Sequence, residues 1–324
     1  MSSEEGLQKR QFNFPLFCGL WLPAKPGEED AGRQLLVLGG GGGAGAHGVL
    51  NRLVLAAWDA TTATLLPELA GEETGEDAAQ AAAVHPQGAV LVVAFATGAP
   101  LRRYDVRSGP SPRLLSGAAL PAGLQGWGEQ RALAFNESGD RLALGGQDGA
   151  VRVVEWPSGR VSVQLPEAHT ADVRSLAFSA DGRFLASTSR SAACPVWDLH
   201  RDGEQAATLT VPQGCTISAV RFSRVGPLVA PSGALLACAS AEGAIAVLAA
   251  PHLAPLLRVR RAHPLFITGL DFSPDSSALL SISADSSARV TDLRHVAHGS
   301  AWWDLLLALL VALLAVALAA FLQR

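Results

Sequence analysis

Cysteine is scarce in this chain: four in 324 residues, at Cys18, Cys194, Cys215 and Cys238, with no C-x-x-C spacing anywhere. That excludes a disulfide frame or a zinc site and leaves four reduced thiols suited to a cytosolic core. An excess of basic charge is also missing. Lys plus Arg number 25 against 29 Asp plus Glu, a net charge of −4, so the electrostatic footprint of a nucleic-acid binder is absent. No Gly-Lys-Ser or Gly-Lys-Thr follows a glycine run, which excludes a phosphate-binding P-loop. The first twelve residues are polar and charged with no apolar stretch, so a secretory signal is not expected. No nucleophile, base and orienting group recur near one another in a recognisable motif. An enzyme of covalent chemistry, with a small-molecule substrate, is therefore not expected.

What the chain does have is a repeat. An apolar strand ending in Phe is followed by a polar turn, a second apolar strand, another turn, and a third strand closing near Trp-Asp. The strand-ending residues are Phe135, Phe178, Phe222 and Phe272, with spacings of 43, 44 and 50 residues, close to one blade of a propeller. Period-two alternation broken by Asp-Gly turns predicts antiparallel sheets throughout. A weaker copy runs from Val84 to Asp105, and Phe14 to Asp59 makes a first unit, giving six repeat units in all. His169-Thr170 and Trp197-Asp198 resemble the residues that lock the inner strands of a WD repeat, so His169 reads as structural. The acidic stretch 68–83 reads as a solvated loop between units. The short segment from Phe222 through Pro231 to Ala237 reads as the start of one blade joined to the middle of the next.

One stretch stands apart. Leu35-Leu36-Val37-Leu38 runs straight into five consecutive glycines, Gly39 to Gly43, and apolar alternation resumes after Gly48. The pattern predicts a strand, a long glycine loop and a second strand, with Asn51 where the loop re-enters the sheet. Three readings are open for the loop. It is an idle hairpin connection, a dinucleotide site spelled by Gly43-Ala-Gly45-Ala-His-Gly48, or a rigid loop presented to a partner protein. The dinucleotide site needs a run of alternating strands and helices, and no such run surrounds it.

Residues 305–322 are 18 Leu, Ala, Val and Phe residues without a polar side-chain atom. As a helix they would span ~27 Å, about the thickness of the hydrocarbon core of the endoplasmic reticulum (ER) membrane. Trp302 and Trp303 precede the run, where indoles anchor at headgroup level, and Arg289 and Arg294 give a mild cytoplasmic bias. The expected organisation is a cytosolic propeller over 1–298, a linker over 299–304, a transmembrane helix over 305–322 and a short lumenal tail at 323–324.

The combination resembles one family. Its marks here are Phe14-Pro15-Leu16, Gly39 to Gly43, Gly48-Val49-Leu50-Asn51-Arg52-Leu53, Ala262-His263 ahead of Phe266-Ile267-Thr268-Gly269, and the C-terminal apolar run. These resemble the prolactin regulatory element-binding protein family, ER-anchored guanine-nucleotide exchange factors for the small GTPase of the COPII coat. The resemblance implies a single-pass ER membrane protein that drives nucleotide exchange without covalent chemistry. It implies a potassium ion held in the loop by Gly41, Gly42, Gly43, Gly45 and Asn51, and contact with the GTPase through Gly48, Val49, Asn51 and His263. His263 also reads as a structural blade histidine, so both roles stand open. Two departures are visible: Leu50 replaces a common proline, and six units stand where the family has seven blades. The resemblance leaves room for a non-exchanging paralogue that assists ER exit of a membrane cargo such as a phosphate transporter, or for a plain ER-anchored scaffold.

Overall fold

The computed structural model describes residues 9–23, 33–44, 48–66, 68–96, 101–107, 109, 111–190, 193–210, 216–224, 235–249 and 254–294. The expected linker, anchor and tail over 299–324, together with Trp302 and Trp303, lie outside the described residues, as do Cys215 and Gly45. Among the described residues no helix is long and apolar enough to cross a membrane.

Alternating apolar residues and tight polar turns build six antiparallel sheets, each a blade of a propeller. Blade 1 comprises Leu16–Trp21, Arg33–Gly40 and Asn51–Asp59, with Thr64–Leu65 and Ala70–Gly75 both pairing along Asn51–Asp59. Blades 2 to 5 are consecutive four-stranded meanders that begin at Ala79–Val84, Gln130–Phe135, Ser175–Phe178 and Ile217–Phe222. Blade 6 takes Ile267–Phe272, Ala278–Ser283 and Ser287–Asp292 from the end of the chain and its outer strand, Lys9–Gln11, from the beginning. The inner strands of blades 3 to 6 end at the phenylalanines read from the sequence.

The ring is closed, and its core lies between blades rather than within them. Six apolar clusters fill the six junctions. The closing junction packs Leu16, Trp21 and Leu38 of blade 1 against Leu280, Ile282 and Val290 of blade 6, all fully buried. Each such side chain contributes roughly 2 kcal/mol on burial. Polar contacts fix the same seam. The Trp21 backbone N–H donates to Asp271 Oδ2 at 2.8 Å, and its indole N–H donates to Asp271 O at 3.1 Å. Arg221 and Arg224 each lie 3.9 Å from that carboxylate. Burial pushes Asp271 upward, and the two guanidiniums counter it.

Two readings of the sequence are corrected here. The acidic stretch 68–83 is largely sheet: Ala70–Gly75 is an outer strand of blade 1 and Ala79–Val84 opens blade 2. Along Ala70–Gly75 half-buried or buried residues alternate with exposed ones, because only one face of an outer strand is covered. The segment around 222–237 does not join two different blades. Ile217–Phe222 and Leu235–Ser240 are hydrogen-bonded neighbours in blade 5, with Phe222 opposite Leu236.

Candidate functional site

In every blade the innermost strand starts at one end of the ring. Antiparallel alternation then puts the turn between second and third strands, and the connection to the next blade, at that same end. Two features of this end stand out.

The first is the glycine hairpin of blade 1. Arg33–Gly40 pairs with Asn51–Asp59, from Arg33 opposite Asp59 to Gly40 opposite Arg52, so residues 41–50 form the turn. Gly41 has φ +142°, and a Cβ there would meet Asn51 Oδ1 at 2.2 Å, so only glycine fits. Its N–H donates to Pro15 O at 3.1 Å. Asn51 holds the loop from behind. Its Oδ1 accepts from Gly43 N–H at 2.8 Å, while Nδ2 donates to Gly43 O at 3.3 Å and Gly75 O at 2.9 Å. One N–H and two carbonyls of fixed polarity leave a single orientation for the amide.

The resemblance gave Asn51 a contact with a partner at the loop's surface. The structure turns it inward, 3% exposed, because its position opens the strand facing the blade 1–2 connection. Gly75, which shares the amide, has no signal in the loop motif. Val49 is half-buried against the closing cluster, whereas Gly48 is exposed and Leu50 is 55% exposed. The neutral oxygens of this loop are the kind that potassium accepts in place of water. A carbonyl has two lone pairs, so Gly43 O retains acceptor capacity beyond its bond to Asn51. Among the described residues no group of three His, Cys, Asp or Glu side chains could hold a metal ion.

The second feature is the connection from blade 5 to blade 6, which ends at Ile267. His263 is 1% exposed and sits between two hydroxyls: Nδ1 lies 2.8 Å from Ser287 Oγ and Nε2 lies 2.8 Å from Ser281 Oγ. Ser287 gives its hydroxyl proton to Asp285, so Nδ1 must carry the proton and Nε2 must accept from Ser281. Burial drives His263 down to about 4, against the opposing pull of Asp285. The ring is thus neutral and enclosed, and the structure does not bring it to the loop's surface. Its role is to support the next residues of the connection. Leu265 and Phe266 stand 50% and 43% exposed, and Ser283 Oγ donates to Phe266 O at 2.9 Å. Sequence reasoning missed this pair because an apolar residue before a strand looks like core.

The two features adjoin. Thr268 Oγ1, two residues past Phe266, donates to Leu16 O at 2.7 Å, and Leu16 pairs with Gly40 at the root of the hairpin.

A family model described as WD domain, G-beta repeat matches residues 160–198 and 254–292. With six closed blades, the matched repeats decide the fold. The chain is a WD-repeat propeller. It is similar to SEC12-like protein 2 of Arabidopsis thaliana, 29% identical over 80% of this chain and 77% of that protein. It is also similar to SEC12-like protein 1 of Arabidopsis thaliana, 35% identical over 45% of this chain and 36% of that protein. The nuclear distribution protein PAC1 of Arthroderma benhamiae is 30% identical over 50% of the propeller chain and 35% of its own length, a likeness of repeats.

Proposed function

We propose that this propeller works with the COPII machinery at the ER, where it binds the small GTPase of that coat and accelerates release of its nucleotide. The likeness to two SEC12-like proteins supports the ER and COPII part, and it agrees with the resemblance read from the loop residues. One observation carries the exchange reading: a buried asparagine clamps a glycine hairpin from behind, fixing Gly43 on its first arm to Gly75 of the neighbouring strand. Loop residues held in place beforehand lose less entropy on entering a partner. Exchange needs only a preference for the nucleotide-free partner, and a thousandfold acceleration corresponds to ~4 kcal/mol of it. In this reading Gly48, Val49 and Leu50 make the contact, and Asn51 sets the shape of the loop. A potassium ion would be held by the oxygens of Gly41, Gly42, Gly43, Gly45 and Asn51, where it would stiffen the tip further. The apolar run 305–322 would hold the propeller at the membrane.

A non-exchanging cargo helper is the second reading, favoured by one feature. Among the described residues of the loop, 41–44 and 48–50, no side chain is polar, so none can bond to a nucleotide site. Nucleotide release from the GTPase, measured with the full-length protein in micelles, separates the two. Exchange by the wild type that falls tenfold or more in Asn51→Ala, about 1.4 kcal/mol, is expected for the exchanger. A wild type that binds the GTPase without speeding release leaves the cargo helper. Equal rates in potassium and sodium at matched ionic strength would remove the ion from the account.

A further inference from the structure

The arginines of this surface are mostly spoken for. Arg52, Arg131, Arg152 and Arg174 each lie within 3 Å of a carboxylate oxygen. Arg258, Arg260 and Arg261 do not. All three are exposed, and among the described residues none has an ion-pair or hydrogen-bond partner. Arg258 lies near the end of Ala254–Val259, the outer strand of blade 5, and the other two follow it directly into the connection that ends in Leu265 and Phe266. Arg261 adopts φ +55°, a left-handed conformation that asparagine or glycine takes more readily, so local backbone preference does not explain an arginine there.

The segment is held rigid from below. His263 N–H donates to Gly243 O at 3.2 Å, its ring is bound on both sides, and Phe266 O is tied to Ser283. Three unpaired guanidiniums beside two exposed apolar side chains therefore sit on a preorganised support, next to the blade carrying the glycine hairpin. Unneutralised charge of one sign around an apolar centre complements a carboxylate-rimmed apolar depression on a partner.

We infer that Arg258, Arg260 and Arg261, with Leu265 and Phe266, form a second docking element that receives an acidic protein face, that of the same GTPase. This rests on the binding part of the proposed function and extends the partner's footprint from blade 1 across to the blade 5–6 connection. A lipid surface fits the geometry less well. The last described strand, Ser287–Asp292, runs away from this end of the ring, so the described chain ends at the opposite face.

Association of the full-length protein in neutral micelles with the purified COPII GTPase, followed over a salt series, tests the assignment. Arg258→Glu, Arg260→Glu and Arg261→Glu combined should slow association at low salt by tenfold or more and flatten its salt dependence. Leu265→Ser with Phe266→Ser should instead speed dissociation. Both variants should melt with the wild type, since all five residues are exposed. Binding that neither variant changes overturns the docking element while leaving exchange intact. Binding without exchange sinks only the exchange reading, and no GTPase binding at all sinks both. Capture of phosphatidylserine vesicles that the charge reversal abolishes, with GTPase association unaffected, would assign the arginines to a membrane and overturn the proposal.

Discussion

Blade 3 hands over to blade 4, and blade 5 to blade 6, through connections built on the same plan. In both, a histidine N–H donates to the carbonyl of a turn glycine, His169 to Gly149 at 3.1 Å and His263 to Gly243 at 3.2 Å. In both, that glycine has positive φ, and a Cβ on it would strike the histidine carbonyl at 2.2 Å or 2.1 Å. In both, Nε2 reaches a serine of the second strand, Ser187 at 2.7 Å and Ser281 at 2.8 Å. The outer ends differ. Ser187 also accepts the indole N–H of Trp197 at 2.8 Å, whereas blade 6 has Thr291 in place of that tryptophan and binds its histidine from the other side through Ser287 and Asp285. The residues displayed differ more. The first connection shows Glu167 and His169 itself, which is half-buried, while the second hides its histidine and displays arginines, Leu265 and Phe266. One hydrogen-bonded device thus supports two surfaces of opposite character. The histidine fixes the frame, and the positions around it are free to carry function.

Breaking the frame should be costliest where the histidine is most enclosed. His263→Ala removes both ring hydrogen bonds, to Ser281 and Ser287, and leaves a cavity in a buried site, so a stability loss of ~3 kcal/mol or more is expected in chemical denaturation. A loss below about 1 kcal/mol would show that the frame does not depend on it. Acid gives a second measure. His263 stays neutral in the fold down to about 4, while the unfolded chain takes up a proton near the ordinary 6.5. The unfolded state therefore binds more protons in this window, and stability is full above pH 6.5 and lost as pH falls towards 4. The slope is about 1.4 kcal/mol per pH unit. Asp285 titrates below the window: burial raises it, but its bonds from Ser287 outweigh that and the net shift is downward. A flat stability profile between pH 6.5 and about 5 would contradict the enclosed, neutral ring. His169→Ala should cost less, ~1–2 kcal/mol, because Ser187 keeps its bond from Trp197. Equal losses at the two sites would erase the distinction. Smallest of all, Glu167→Arg and Arg260→Glu should each change stability by less than about 0.5 kcal/mol, as exposed substitutions do.

The parts of this molecule that obey a period were readable from residue spacing alone. Phe135, Phe178, Phe222 and Phe272 end inner strands as their spacing implied, and the blade count agrees. The glycine hairpin and the place of Asn51 at the start of its second strand were equally plain. Side-chain direction was not. Asn51 turns inward because Gly75, 24 residues on, offers a carbonyl from an outer strand that the acidic sequence disguised. Gly48 and Val49 fall in the loop as read, whereas His263 belongs to another blade's frame, a choice that depends on Ser281 and Ser287 being within reach. The exposure of Leu265 and Phe266 could not be read, since an apolar residue announces neither burial nor a partner.

Blade 6 is completed by a strand made before all the other blades, with Lys9 opposite Arg289 and Gln11 opposite Ser287. At roughly 5–20 residues per second, translation places tens of seconds between the emergence of those partners. Throughout that interval the apolar flank of blade 1, with Trp21, Leu36 and Leu38, has no neighbour to cover it. The nascent propeller is an open crescent with a sticky leading edge. The strand Lys9–Gln11 is held in reserve until Ser287–Asp292 arrives, so the growing chain is most prone to aggregation just before that sheet emerges.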